Sequence, residues 1–179
     1  STPPSTSTSN KVYIRHAITL AGTNTASNIE IETGGVFSTS TVSATFTNIL
    51  VKTGGVFNKQ GNSIKINGIL EVQDDATVTF IHTNTTSRTT NFWNGTEKFH
   101  ANSNFEILTT DNVSNFLVIE TNAEVSEFNG GCFGNMIVNI GTGKLQLLPS
   151  GFTKTLTKGN LIFRNNTDNV KFSDGAFST

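Results

Sequence analysis

The sequence predicts an all-β chain wound as a right-handed parallel β-helix, and three observations carry that prediction. A ten-residue block recurs, the apolar residues come in strand-length runs, and no helix signal interrupts them. The block Asn28-Ile29-Glu30-Ile31-Glu32-Thr33-Gly34-Gly35-Val36-Phe37 returns as Asn48-Ile49-Leu50-Val51-Lys52-Thr53-Gly54-Gly55-Val56-Phe57, identical at seven of ten positions. A period of about 20 residues marks a solenoid, in which each coil stacks on the last. Stacking would set Ile29 over Ile49, Ile31 over Val51 and Phe37 over Phe57 as internal ladders. Gly34-Gly35 and Gly54-Gly55 would then build the same corner twice, because glycine accepts positive φ. A β-sandwich is the main alternative, since strands with turn signals at spacings of roughly 8 to roughly 12 residues also fit one. A sandwich gives no reason for the repeat.

Residues 1–10 are a Ser/Thr/Pro run without apolar periodicity, which predicts a flexible linker or tail. A single solenoid domain is expected over 11–179. Its strands follow from short β-branched or aromatic runs: Ile29-Glu30-Ile31, Ile49-Leu50-Val51, Ile64-Lys65-Ile66, Ile69 to Val72 and Thr77 to Phe80. The same rhythm returns at Phe116 to Ile119, Met136 to Val138, Leu145 to Leu147, Leu161 to Phe163 and Val170 to Phe172, with Gly, Asn, Asp or Ser between runs. The third coil replaces the Gly-Gly corner with Asp74-Asp75, so the period drifts. Residues 87–104, around Phe92-Trp93-Asn94-Gly95, read as a longer loop or irregular coil. Coils of about 20 residues imply about eight coils and a stack about 40 Å tall. Helix is disfavoured throughout by the stiff χ1 of Thr and by the competing side-chain hydrogen bonds of Asn.

Composition narrows the function. The 179 residues hold 12 Lys+Arg against 13 Asp+Glu, a net charge of -1, with only 14% charged, while Thr, Asn, Ser and Gly make up nearly half. A pI of about 6.3 offers no basic stripe to displace phosphate counterions, which argues against nucleic acid and against electrostatic membrane binding. No run reaches the roughly 18 to 20 apolar residues of a spanning helix. The start lacks Met and a basic-then-apolar leader, so a processed or excised segment of a longer protein is expected. The single Cys132 permits no internal disulfide and reads as a small core residue.

The phrases Gly61-Asn62-Ser63-Ile64-Lys65-Ile66-Asn67-Gly68-Ile69-Leu70, Phe133-Gly134-Asn135-Met136-Ile137-Val138-Asn139 and Lys158-Gly159-Asn160-Leu161-Ile162-Phe163 give residues 28–172 a particular style. The chain resembles the secreted, repetitive β-solenoid surface proteins and adhesins of Bacteroidetes, commonly exported by the type IX secretion system. That resemblance implies an extracellular, cell-surface location and a stalk or adhesive role.

A search for chemistry returns mostly turns. Catalytic β-helices need paired carboxylates, an acidic Ca²⁺ cluster or a Lys/Arg base on one face. Asp74-Asp75 is the one adjacent acidic pair and the one candidate for metal, Ca²⁺ at most, but Asp is also a common corner residue. Asp168 and Asp174 read the same way. His16, His82 and His100 lack zinc spacing, and Gly141-Thr142-Gly143-Lys144-Leu145 lacks the first Gly and final Ser/Thr of a phosphate loop. Trp93 and Tyr13 are candidate carbohydrate-stacking platforms. Adding 20 to Thr45 and Thr47 gives Lys65 and Asn67, so no Thr ladder of an ice-binding kind is expected. Asn84, Asn94, Asn112 and Asn165 head Asn-x-Ser/Thr sequons that so Asn- and Thr-rich a chain produces by chance.

The sequence therefore predicts a non-enzymatic, extracellular structural or adhesive β-solenoid module of a bacterial surface protein or filament, without a cofactor. Its expected partners are neighbouring solenoid repeats or further copies of itself, surface glycans, and host or cell-surface proteins. A carbohydrate-binding or carbohydrate-active β-helix, such as a polysaccharide lyase or glycosidase, and a self-assembling fibre subunit are the alternatives.

Overall fold

The computed structural model describes residues 11–22, 24–40, 43–60, 64–82, 88–91, 96–109, 116–120, 131–139, 144–147, 155–157, 159–164 and 170–171. Strand follows strand, and no helix occurs among these residues. In order they are β1 (Lys11–Ile14), β2 (Ala17–Leu20), β3 (Asn24–Ile31), β4 (Val36–Thr39), β5 (Ala44–Val51), β6 (Val56–Gln60), β7 (Ile64–Ile66), β8 (Ile69–Val72), β9 (Thr77–His82) and β10 (Arg88–Asn91). Then come β11 (Thr96–Phe99), β12 (Asn104–Thr109), β13 (Phe116–Glu120), β14 (Gly131–Phe133), β15 (Asn135–Asn139), β16 (Lys144–Leu147), β17 (Thr155–Thr157), β18 (Leu161–Phe163) and β19 (Val170–Lys171).

These strands stack as a parallel β-solenoid. The first sheet runs β1-β3-β5-β8-β11, with β7 also on β5; the second runs β2-β4-β6-β9-β12-β15-β18; the third runs β10-β13-β16-β19, and β14 pairs with β17. The pairings are parallel, which removes the sandwich alternative, an antiparallel architecture. Seven strands in the second sheet make six steps of about 4.8 Å, a described height of about 29 Å.

Side-chain alternation then sorts the residues. On the first sheet, Ile14, Ile31, Val51, Val72 and Phe99 lie in one register column, and on the second Phe37, Phe57, Val78, Phe105 and Met136 do the same. All are buried. Ile29 pairs with Ile49 in the same core. Phe37 stacks on Phe57 with centroids 5.7 Å apart and meets Phe46 of the first sheet edge-on at 5.8 Å, so the two sheets close on one another through aromatic rings.

The corner between these sheets repeats four times. Gly35, Gly55, Ala76 and Ser103 each donate a backbone N–H to the residue three before, Glu32, Lys52, Gln73 and His100, at 2.7–3.1 Å. The residue before each donor ties one corner to the next: Gly34 donates to Gly54 O, Gly54 to Asp75 O, and Asp75 to Asn102 O. Gly34 and Gly54 take φ of 76° and 72°, conformations that cost an L-residue strain.

The coil length is not constant. Val36 lies beside Val56 at an offset of 20, but Thr77 pairs with Asn104 and Asn104 with Asn135, at offsets of 27 and 31. The extra chain has a physical destination. From β10 onward each coil adds a strand to the third sheet, a side for which the earlier coils contribute no described strand. The 20-residue offset of the repeated block thus holds only for the first rungs, and the drift expected from the Asp74-Asp75 corner onward grows into the longer later coils. Of the two readings of 87–104, a longer loop or an irregular coil, the strands β10 and β11 favour the irregular coil. There Phe99 is buried beside Val72 while Lys98 alternates outward, a pattern that one apolar residue among polar ones hides.

Insertion of one residue breaks the fourth rung into β7 and β8. Ala44 pairs with Ile64, an offset of 20, whereas Ile49 pairs with Leu70, an offset of 21. Asn48 fills the gap: its Oδ1 accepts from Ile69 N at 2.8 Å and its Nδ2 donates to Asn28 Oδ1 at 2.7 Å. A Cβ on Gly68 would run into Asn48 Oδ1 and Thr47 O, which fixes the Asn-Gly pair here. The Gly159-Asn160 pair repeats the device against Asn135.

Candidate functional site

Two outer faces hold the side chains that could meet a partner, and one interior position holds a buried charge. The outer face of the first sheet collects charge. Tyr13, Glu30, Leu50, Glu71 and Lys98 form one column of register partners, with Lys11, Arg15, Glu32 and Lys52 beside it. Glu30 is 3% exposed although it points away from the core, because the Lys11 and Lys52 ammonium groups close over its carboxylate. Lys52 Nζ also reaches Glu32 Oε1 at 3.2 Å. His100 Nε2 lies 3.1 Å from Glu71 Oε1.

Tyr13 is 49% exposed on this face. Lys11 Nζ and Arg15 Cζ sit 5.5 and 5.8 Å from its ring centroid, Lys11 at the start of β1 and Arg15 just past its end. The ring is therefore occupied by cations, an environment different from the open aromatic platform that sugar stacking uses. Trp93, the other aromatic candidate, lies outside the described residues.

Asp74 and Asp75 form the fourth-rung corner. Asp74 Oδ1 accepts the Asn102 N–H at 2.8 Å, and Asp75 holds φ of 59° at the place of Gly34 and Gly54. Among the described residues no three His, Cys, Asp or Glu side chains converge as metal ligands would. Thr45 pairs with Lys65, so the Thr column that begins at Thr25 ends after two rungs. Asp168, Asp174, the glycine-rich 141–143 and the four sequon asparagines lie outside the described residues.

The second sheet differs. Its outward positions carry Ser38, Asn58 and Thr79 in one column and Val36, Val56 and Thr77 in the next. Asn58 Nδ2 donates to Ser38 Oγ at 3.2 Å, and further along Asn135 Nδ2 donates to Asn104 Oδ1 at 3.2 Å. Glu106 and Arg164, the charged pair on this face, meet at 3.1 Å and cancel. The uncharged composition predicts a neutral outer wall, and the alternation of Val36-Phe37-Ser38 places it on this sheet.

Lys59 is the residue that sequence reading missed altogether. It lies inside the solenoid, fully buried, in register with Phe80 and with its Nζ 5.1 Å from that ring centroid. Loss of hydration on burial pulls its pKa down to about 8. The signal was present: a period of two carried from Phe57 through Asn58 puts Lys59 inward.

Comparison of the chain with protein-family models, with curated proteins and with solved structures returns no match.

Proposed function

We propose that this chain is a structural and adhesive β-solenoid module of an extracellular bacterial surface protein or filament, acting through shape and a neutral hydrogen-bonding wall rather than through catalysis. The observation that carries this reading is the corner stacked in four consecutive rungs, each tied to the next by backbone hydrogen bonds. Such a stack transmits load along its axis and extends by adding rungs without changing its cross-links. The resemblance of its Gly-Asn coils to type IX-exported solenoid proteins of Bacteroidetes supports the location. Surface glycans and neighbouring solenoid repeats are the partners that fit an uncharged wall.

The test is antibody labelling of intact producing cells, before and after protease shaving. Surface signal that shaving removes is the expected result. Signal that emerges only on lysis overturns the proposal.

A further inference from the structure

The chain separates its charges by face, and the separation assigns a ligand class. Outward side chains of the first sheet include Lys11, Arg15, Glu30, Lys52, Lys65 and Glu71. The outward side chains of the second sheet are hydroxyl, amide or aliphatic over its first four strands, and beyond them Glu106 and Arg164 neutralise each other. Alternation with the buried Phe37, Phe57, Val78 and Phe105 directs these residues away from the core.

We propose that the outer face of the second sheet holds an uncharged polysaccharide laid along the stack. This deepens the adhesive half of the function proposed above and rests on it. Anionic glycans, nucleic acids and acidic lipid surfaces need unpaired cations, and Arg164 on this face is paired. Over the described residues the face is smaller than the patch a stable interface with a second copy takes. Six steps of about 4.8 Å and outward columns spread over about 13 Å give a footprint of about 400 Å², whereas a stable protein interface takes about 800 Å² from each partner. A polymer escapes that limit, because many weak contacts along one strand add through effective concentration.

The chemistry also matches. Thr19, Ser38 and Asn58 present donors and acceptors once per rung, suited to sugar hydroxyls, while Thr79 in the next rung is only 7% exposed, and Val36 and Val56 present an aliphatic row suited to the C–H faces of pyranose rings. Parallel backbone ladders hold both rows in place before binding, so little ordering cost falls on the association.

The experiment is retention of the whole chain on insoluble cellulose, chitin and β-1,3-glucan, with heparin resin and calcium alginate as charged comparisons. Retention on at least one neutral polymer and on neither charged one is expected. Asn58→Glu, which sets a charge in the middle of the face, should lower retention about tenfold or more, as burying an unpaired charge against a neutral partner requires. Lys65→Glu, the same new side chain on the first sheet's face, should leave retention unchanged. Thr19→Glu places the charge at an exposed position in the same column as Asn58 and serves if Asn58→Glu lowers the melting temperature. Retention on no neutral polymer overturns the proposal, as does equal weakening by Asn58→Glu and Lys65→Glu. Dimerisation abolished by Asn58→Glu would replace the polysaccharide with a second copy, and shaping of growing ice crystals without retention would replace it with a water lattice. Failure on every polymer with cell-surface labelling intact removes this face's role and leaves the surface module standing.

Discussion

Asp75 stands in the fourth rung where Gly54 stands in the third, and it keeps the glycine's backbone: φ is 59° at Asp75 and 72° at Gly54, with the Gly54 N–H donated to Asp75 O at 3.2 Å. Asp and Asn tolerate this left-handed conformation better than other L-residues, because a short polar side chain can bond locally. The Asp74-Asp75 pair is thereby explained as a corner that keeps the stack's geometry without glycine.

That equivalence makes opposite substitutions unequal. Gly54→Ala should destabilise the chain by about 1 to 2 kcal/mol, the cost of holding an L-residue in the left-handed region. Asp75→Gly should change stability by less than about 1 kcal/mol, since relief of strain offsets the added freedom of the unfolded chain. Urea unfolding of both variants checks this. A Gly54→Ala variant as stable as the parent would show that the corner's φ is not fixed by the stack.

Glu30 and its two lysines give a second asymmetry. The carboxylate is almost fully buried, while Lys11 and Lys52 are partly exposed. Replacing Glu30 by Leu leaves two ammonium groups that water can solvate, so the loss should be about 1 kcal/mol or less. Replacing Lys11 and Lys52 together by Met strands the buried carboxylate and should cost about 3 kcal/mol or more. Thermal melts of the two variants test the order. The reverse ranking would mean that the lysines, not Glu30, carry the desolvation cost.

Asn48 bridges the place where the rung gains a residue. Asn48→Ala leaves Ile69 N without its 2.8 Å acceptor and ends the bond to Asn28 Oδ1. The expected loss is about 1 to 2 kcal/mol, with faster amide hydrogen exchange at Ile69 than at Leu70 and Val72. Unchanged exchange at Ile69 would refute the bridging role.

Legibility in the sequence follows the same physics. The block shared by 28–37 and 48–57 exposed the solenoid, because identical inward residues and corners must stack at one offset. The onset of the longer coils was hidden, since β10, the first strand of the third sheet, is Arg88-Thr89-Thr90-Asn91 and carries no apolar residue. The role of Asn48 was hidden too, because it depends on a residue inserted in the following coil. The neutral wall and the charged wall are both written in alternating positions, yet net composition averages them into one nearly uncharged chain.

Lys59 offers the clearest dependence on pH. Its ammonium is buried beside Phe80, and desolvation lowers its pKa from 10.5 to about 8. Below pH 8 both folded and unfolded chains carry the proton, and the folded state bears the desolvation cost of the interior charge. Between about 8 and 10.5 the unfolded chain still holds a proton that the folded chain has shed, so unfolding takes up a proton and stability rises with pH. Above 10.5 the gain is complete. The gap between the two values corresponds to at most about 3 kcal/mol. Lys59→Met, which keeps the length of the stem without the charge, should raise stability at pH 7 and flatten the profile between pH 8 and 10.5. Urea midpoints measured across that range for both chains decide it. A parent profile that is flat or falling there, or a variant that keeps the parent's slope, would show that the interior amine does not govern the stability of the stack.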